Sequence, residues 1–157
     1  MPDGFLAPRG NLLTDVVFVC NLIAPVWAIV AARLARRGEH HRHMQLQLAL
    51  WLLMITNLLL LEGYIRFSGG SGSLMSGSAY AGTALMRTVF AIHIIPAIAT
   101  YVLWSALVVV TYRRRKVTAL GGFSSRHMLL GKVVIGGLIW TALSACGIYY
   151  LTFWGTS

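Results

Sequence analysis

The stretch LLTDVVFVCNLIAPVWAIVAARL, residues 12–34, decides the fold of this chain. It is predominantly apolar, and as an α-helix it is long enough to cross about 30 Å of hydrocarbon. Comparable runs recur at 44–65, 88–112 and 128–153. None of them alternates between polar and apolar residues, which argues against a β-barrel. We therefore predict an all-α integral membrane protein whose residues 1–157 form one domain, a four-helix bundle.

The composition supports a membrane-embedded fold. Of the 157 residues 57% are hydrophobic and 11% are charged, whereas a soluble domain carries about 25% charged residues. Both cysteines fall within apolar runs, which argues against a disulfide framework. No Ser-His-Asp set, phosphate-binding loop or pair of acids appears. This pattern favours a role other than that of an enzyme.

Positive charge is concentrated in and beside two short connections, at 33–42 and 113–126. Cytoplasmic loops carry an excess of Lys and Arg, so we expect both connections in the cytoplasm and both termini outside. Attraction to anionic lipid accounts for the net charge of +9. Arg42 and Arg126 are the expected lipid or partner contacts. We expect no nucleic acid partner, because no basic face is free of the bilayer.

A short repeat relates the two halves of the chain. Arg42-His43-Met44 returns as Arg126-His127-Met128, each at the start of an apolar run that follows a basic connection. The repeat predicts two similar helical hairpins related by an axis along the membrane normal. It places His43 and His127 at equal depth near the cytoplasmic surface. Two such imidazoles could be axial ligands of haem b, or they could bind helix ends and lipid phosphate; both interpretations remain open.

A second group of candidate ligands lies near the predicted outer surface. At about 1.5 Å per residue, His93, Glu62, Cys20 and Cys146 fall at similar depths on the four helices. Imidazole and thiolate suit copper, and a carboxylate can serve as a ligand or support one. The alternative is a buried polar network without metal. Under either hypothesis we expect His93 and Glu62 to lie within direct or water-mediated hydrogen-bonding reach.

Two further groups of residues have simpler interpretations. His40 and His41 are expected to belong to the first connection. Aromatic residues near the helix ends are typical of the belt at a membrane interface. These residues are Tyr64, Tyr149, Tyr150 and Trp154.

Several motifs together resemble a known family. They are His41-Arg42-His43-Met44, AIHIIPAI at 91–98, SSRHMLLGK at 124–132 and WTALSACGIYYL at 140–151. Over roughly residues 12–153 the chain resembles the small four-helix bacterial membrane proteins of the CtaM/YozB type. The resemblance implies a location in a bacterial inner membrane and a role in the maturation of haem-copper oxidases. It also implies that the recurring histidines of that family correspond to His41 or His43, His93 and His127.

Three functions are compatible with these observations. The first is an assembly factor or accessory subunit that binds copper or haem and docks on the membrane subunits of a haem-copper oxidase. The second is a small b-type cytochrome in quinol electron transfer. The third is a purely structural membrane subunit whose histidines satisfy one another.

Overall fold

A computed structural model describes residues 3–114 and 123–155 of the chain. Its helices are α1 (Leu12–Arg36), α2 (His40–Phe67), α3 (Ser71–Met75), α4 (Ala84–Arg114) and α5 (Phe123–Tyr149). A π-helical turn, Tyr150–Trp154, continues α5. The described residues contain no strand. Four helices are long and apolar enough to cross a membrane, with mean hydropathies of 1.7 to 2.1 over their most apolar stretches. The chain is therefore a multi-pass membrane protein, and the predicted all-α four-helix fold is confirmed.

The starts of the first two long helices follow from local sequence. The Asn11 side chain accepts from the Thr14 N–H at 3.0 Å, and Thr14 Oγ1 accepts in return from the Asn11 N–H at 3.0 Å. This reciprocal cap satisfies two backbone donors that the start of α1 would otherwise leave unpaired. Helix α2 begins earlier than its predicted apolar run, directly after a turn at Gly38 with φ of +80°. The expectation that His40 and His41 belong to the connection is therefore wrong, because both lie in the first turn of α2.

The long helices pack as two hairpins, α1 with α2 and α4 with α5. Contacts between α1 and α5 join the hairpins, whereas α2 and α4 touch sparingly. Close approach within the second hairpin depends on Gly137, where a Cβ atom would clash with the Thr100 side chain. Small residues at such positions let helix backbones approach closely. The bundle is therefore tightly joined on three sides and loosely joined between α2 and α4.

We call the end of the bundle that holds the first and last described residues and α3 the terminal end, and the opposite end the basic end. An apolar core occupies the bundle away from the terminal end; its buried members are Ala24, Ala28, Leu50, Met54, Tyr101, Trp104, Val134 and Leu138. At the terminal end the connection between α2 and α4 is tied to the last turn, since the Ala79 N–H donates to the Gly155 carbonyl at 3.1 Å. Arg115 and Lys116 of the second positive cluster lie outside the described residues. Which end faces the cytoplasm stays a prediction.

Candidate functional site

His43 and His127 lie side by side at the basic end. Their ring centroids are 6.2 Å apart and their ring planes are nearly perpendicular, at 87°. His43 Nδ1 is 2.8 Å from the Ala31 carbonyl oxygen on α1, and because a carbonyl only accepts, this nitrogen carries the proton. His127 Nδ1 is 3.2 Å from Thr111 Oγ1 on α4. In each hairpin, then, the second helix directs a histidine back to the first.

The separation of this imidazole pair is compatible with two ligands to one metal. Imidazole nitrogens bind metals at about 2.0–2.1 Å, so the centroids of two rings that share one ion lie roughly 6 Å apart when the bonds are nearly collinear. Perpendicular ring planes are compatible with this, because a metal ion does not fix the twist of one imidazole plane relative to the other. A ligating histidine commonly donates its other N–H to a carbonyl, as His43 does to Ala31.

The described residues form no group of three or more His, Cys, Asp or Glu side chains suited to a metal. The imidazole pair would therefore supply two ligands and leave other coordination positions open. Two imidazoles fit haem iron, whose porphyrin fills the remaining positions, and they also fit a copper ion that is passed to a partner. The neighbouring His40 and His41 are exposed on the first turn of α2.

Each histidine of the imidazole pair directly follows an exposed arginine in the sequence. Arg42 forms an exposed ion pair with Glu39 at 2.7 Å, and Arg126 is exposed. A groove of about 310 Å³ lies nearby between α1 and α5. It combines three basic side chains with an apolar wall; its lining is Ile29, Ala32, Arg33, Arg36, Lys132 and Ile135. Such a groove can receive an anionic lipid headgroup together with part of its acyl chain.

The expected outer layer of ligands is only partly assembled. His93 and Glu62 line one cavity at the terminal end, but each has a different partner. His93 Nδ1 lies 2.9 Å from Ser144 Oγ on α5, and Glu62 pairs with Arg66 at 2.5 Å. The side chains of His93 and Glu62 therefore line the same cavity, and the described contacts include no hydrogen bond between them.

The two cysteines do not join His93 and Glu62. Cys20 packs against the apolar core on α1, and Cys146 is exposed on α5. Neither is among the residues that line the terminal cavity. A copper site built from His93, Glu62, Cys20 and Cys146 thus has no geometric support among the described residues.

The structure adds a buried site that the sequence interpretation missed. Asp15 is fully buried in the first turn of α1, where it accepts from the N–H groups of Phe5 and Leu6 at 2.5 and 2.8 Å. The Tyr149 hydroxyl also donates to it. Tyr149 was predicted to lie in the interfacial belt, but it is buried and stacks on Phe18 with ring centroids 4.2 Å apart. An acid within an apolar run is costly unless it is paired, and that signal could have singled out Asp15.

The chain matches no family model, and comparisons with curated proteins and with solved structures give no match at a significant level. The fold and the described contacts define a four-helix membrane protein with an imidazole pair at one end and a cavity at the other. The resemblance to the CtaM/YozB type stays a prediction from sequence motifs.

Proposed function

We propose that this protein is a maturation factor or accessory subunit for a haem-copper oxidase in a bacterial inner membrane, and that it holds haem or copper between His43 and His127. The observation that carries the proposal is the distance of 6.2 Å between the two imidazole rings. One histidine comes from each hairpin, and each is anchored through Nδ1 to a neighbouring helix. This anchoring limits the rotation of both rings and would prepare them for ligation.

The surface of the bundle favours a partner within the bilayer. Large apolar side chains point outward from the sparsely contacting helices α2 and α4, and Leu59, Ile95 and Val102 are each about two-thirds exposed. Lipid or the helices of another membrane subunit can cover such faces. The groove at Arg33, Arg36 and Lys132 would add an anionic lipid at the basic end.

A second candidate function is that of a small b-type cytochrome, and the same imidazole pair supports it. Two histidines without a third protein ligand suit haem iron. The two functions differ in what happens to the bound group. A cytochrome keeps its haem through purification, and its absorption spectrum changes reversibly on reduction and oxidation. A maturation factor is needed for the oxidase to acquire its own centres.

Complementation of a deletion strain tests the proposed role. Cells without this protein should contain less assembled, active haem-copper oxidase, and the normal chain should restore it. His43→Ala and His127→Ala should fail to restore the oxidase, because each removes one of the two ligands. His41→Ala, two residues before His43 on an exposed face of α2, is the matched control and should restore it.

Unchanged oxidase content and activity in the deletion strain would contradict the proposed role. So would full restoration by both His43→Ala and His127→Ala, provided that each variant reaches the membrane in normal amounts.

A further inference from the structure

A partly open cavity lies in the terminal half of the bundle, beside a small packed cluster that contains Tyr149 and Phe153. This cavity of about 390 Å³ lies between α1, α2, α4 and α5, with α3 at its rim. Its walls are mainly apolar and include the rings of Phe18, Phe90 and Phe153. Ligand cavities in proteins commonly hold about 300–1,000 Å³ and combine apolar walls with a few polar groups. An unfilled cavity of this size would forfeit packing contacts that an occupant could supply.

The hydrogen bonds of His93 define what the cavity can recognise. The Ser144 hydroxyl has one proton, and it donates that proton to the Trp140 carbonyl at 2.7 Å. With that proton directed to the carbonyl, Ser144 Oγ accepts from His93 Nδ1 at 2.9 Å in one of the two tautomers of the imidazole. In that tautomer the other nitrogen, Nε2, is an acceptor. Because His93 lines the cavity, this arrangement favours a ligand with a hydrogen-bond donor.

Glu62 supplies a second acceptor on another wall of the same cavity. Its Oε1 forms an ion pair with Arg66 at 2.5 Å, and an ionised carboxylate can accept further hydrogen bonds. The side chain of Glu62 is about half exposed, which places it toward the open side of the cavity. The cavity thus offers acceptors at two places and aromatic rings in its walls.

We propose that this cavity binds a membrane quinol, a dihydroxylated aromatic ring on a lipophilic tail. The two hydroxyl groups would donate to His93 Nε2 and to Glu62, and the ring would pack against the aromatic walls. The sparse contact between α2 and α4 gives the tail a route to the bilayer. The proposal concerns binding, and it does not depend on the imidazole pair at the other end of the bundle.

A matched pair of probes tests the preference for a donor. A decyl-substituted benzoquinol and the corresponding benzoquinone have nearly the same shape, but the quinol alone carries hydroxyl donors. We would measure the retention of each, radiolabelled and under anaerobic conditions, by the purified protein in phospholipid nanodiscs, with empty nanodiscs as the background. The quinol should bind about a hundredfold more tightly, because each of its two hydroxyl hydrogen bonds contributes about tenfold.

Variants at the two ends of the bundle separate the sites. His93→Phe keeps an aromatic ring but removes one of the two acceptors, so quinol binding and the preference over quinone should both fall about tenfold. His43→Ala should leave quinol binding unchanged, whatever its effect on metal or haem. Glu62→Gln, at a half-exposed position, should weaken quinol binding without impairing folding and serves as the second test.

Three results would overturn the proposal. One is equal or tighter retention of the quinone by the normal protein. Another is unchanged quinol binding in both His93→Phe and Glu62→Gln. The third is occupation of the cavity by phospholipid or fatty acid alone, with no quinol retained above the level of empty nanodiscs.

Discussion

Asp15 illustrates how a single polar residue organises the terminal end of the bundle. Its carboxyl group accepts from two backbone N–H groups of the N-terminal segment and from the Tyr149 hydroxyl. It thereby joins that segment to α1 and α5. Gly4 and Gly10 make room for this contact, since a Cβ atom at either position would lie within 2.7 Å of an Asp15 oxygen. Tyr149 also lines the terminal cavity, so Asp15 helps to fix one of its walls.

Asp15→Asn should destabilise the protein by about 2–3 kcal/mol, because the amide cannot accept all three hydrogen bonds and leaves buried donors unpaired. Tyr149→Phe removes one of the same bonds and should cost about 1–2 kcal/mol. The double variant should lose about 1 kcal/mol less than the sum, since the two residues share a contact. Thermal unfolding in mild detergent measures all three. Tyr150→Phe, at an exposed neighbouring position, is the control, and additive losses would contradict the shared contact.

For single residues, the sequence predicts how far along a helix a side chain lies better than which way around the helix it points. The repeat of Arg-His-Met marks His43 and His127, and the structure places their rings together. Partners such as Ser144 for His93 could not be predicted, because helices that are apolar on nearly every side give no clear inward face. The contact between Asp15 and Tyr149 joins residues far apart in sequence, beyond the reach of local patterns.

Among the helices, α4 and α5 depend on one close approach. The Thr100 side chain occupies the space beside Gly137, and it would clash with any larger residue there. Gly136, the preceding residue on α5, has nothing within 4 Å of its Cβ position. The two adjacent glycines therefore have different roles, and a comparison of their variants isolates the packing of the second hairpin.

Gly137→Ala should destabilise the protein by about 1–3 kcal/mol, because the added methyl group overpacks the contact with Thr100. Gly136→Ala should be neutral or stabilising by up to about 1 kcal/mol, since alanine favours the helix and meets open space. Thr100→Ala should relieve part of the loss when it is combined with Gly137→Ala. Thermal unfolding in detergent again provides the measurement. Equal effects of the two glycine substitutions would show that α4 and α5 are not packed at this contact.

The helices themselves follow directly from the apolar runs, because backbone groups in hydrocarbon must be satisfied within each segment. Their ends are less predictable. Helix α2 includes His40 and His41, since helical backbone continues past the apolar run into the basic connection. Helix α3 lies in a stretch rich in Gly and Ser, where composition favours a flexible connection.

For the whole molecule, the central feature is that each hairpin contributes one imidazole to a pair at the basic end. A group bound between His43 and His127 would join the two hairpins directly, and it would stabilise the folded bundle because it binds that state alone. The four candidate ligands predicted near the outer surface do not form one site. Cys20 and Cys146 do not line the cavity that His93 and Glu62 line. The position of a residue along its helix sets its depth in the membrane. Side chains form a common site only if they also point toward one another.

The most direct test of this account is the absorption spectrum and metal content of the protein, purified in mild detergent and then supplied with haem b or with Cu(I). We expect about one haem or one copper per chain, retained by the normal protein and by His41→Ala and lost from both His43→Ala and His127→Ala. A bound haem should give a Soret band, and bound copper should appear in metal analysis without one. A normal protein that retains neither group, or variants that retain it as well as the normal protein does, would contradict the account.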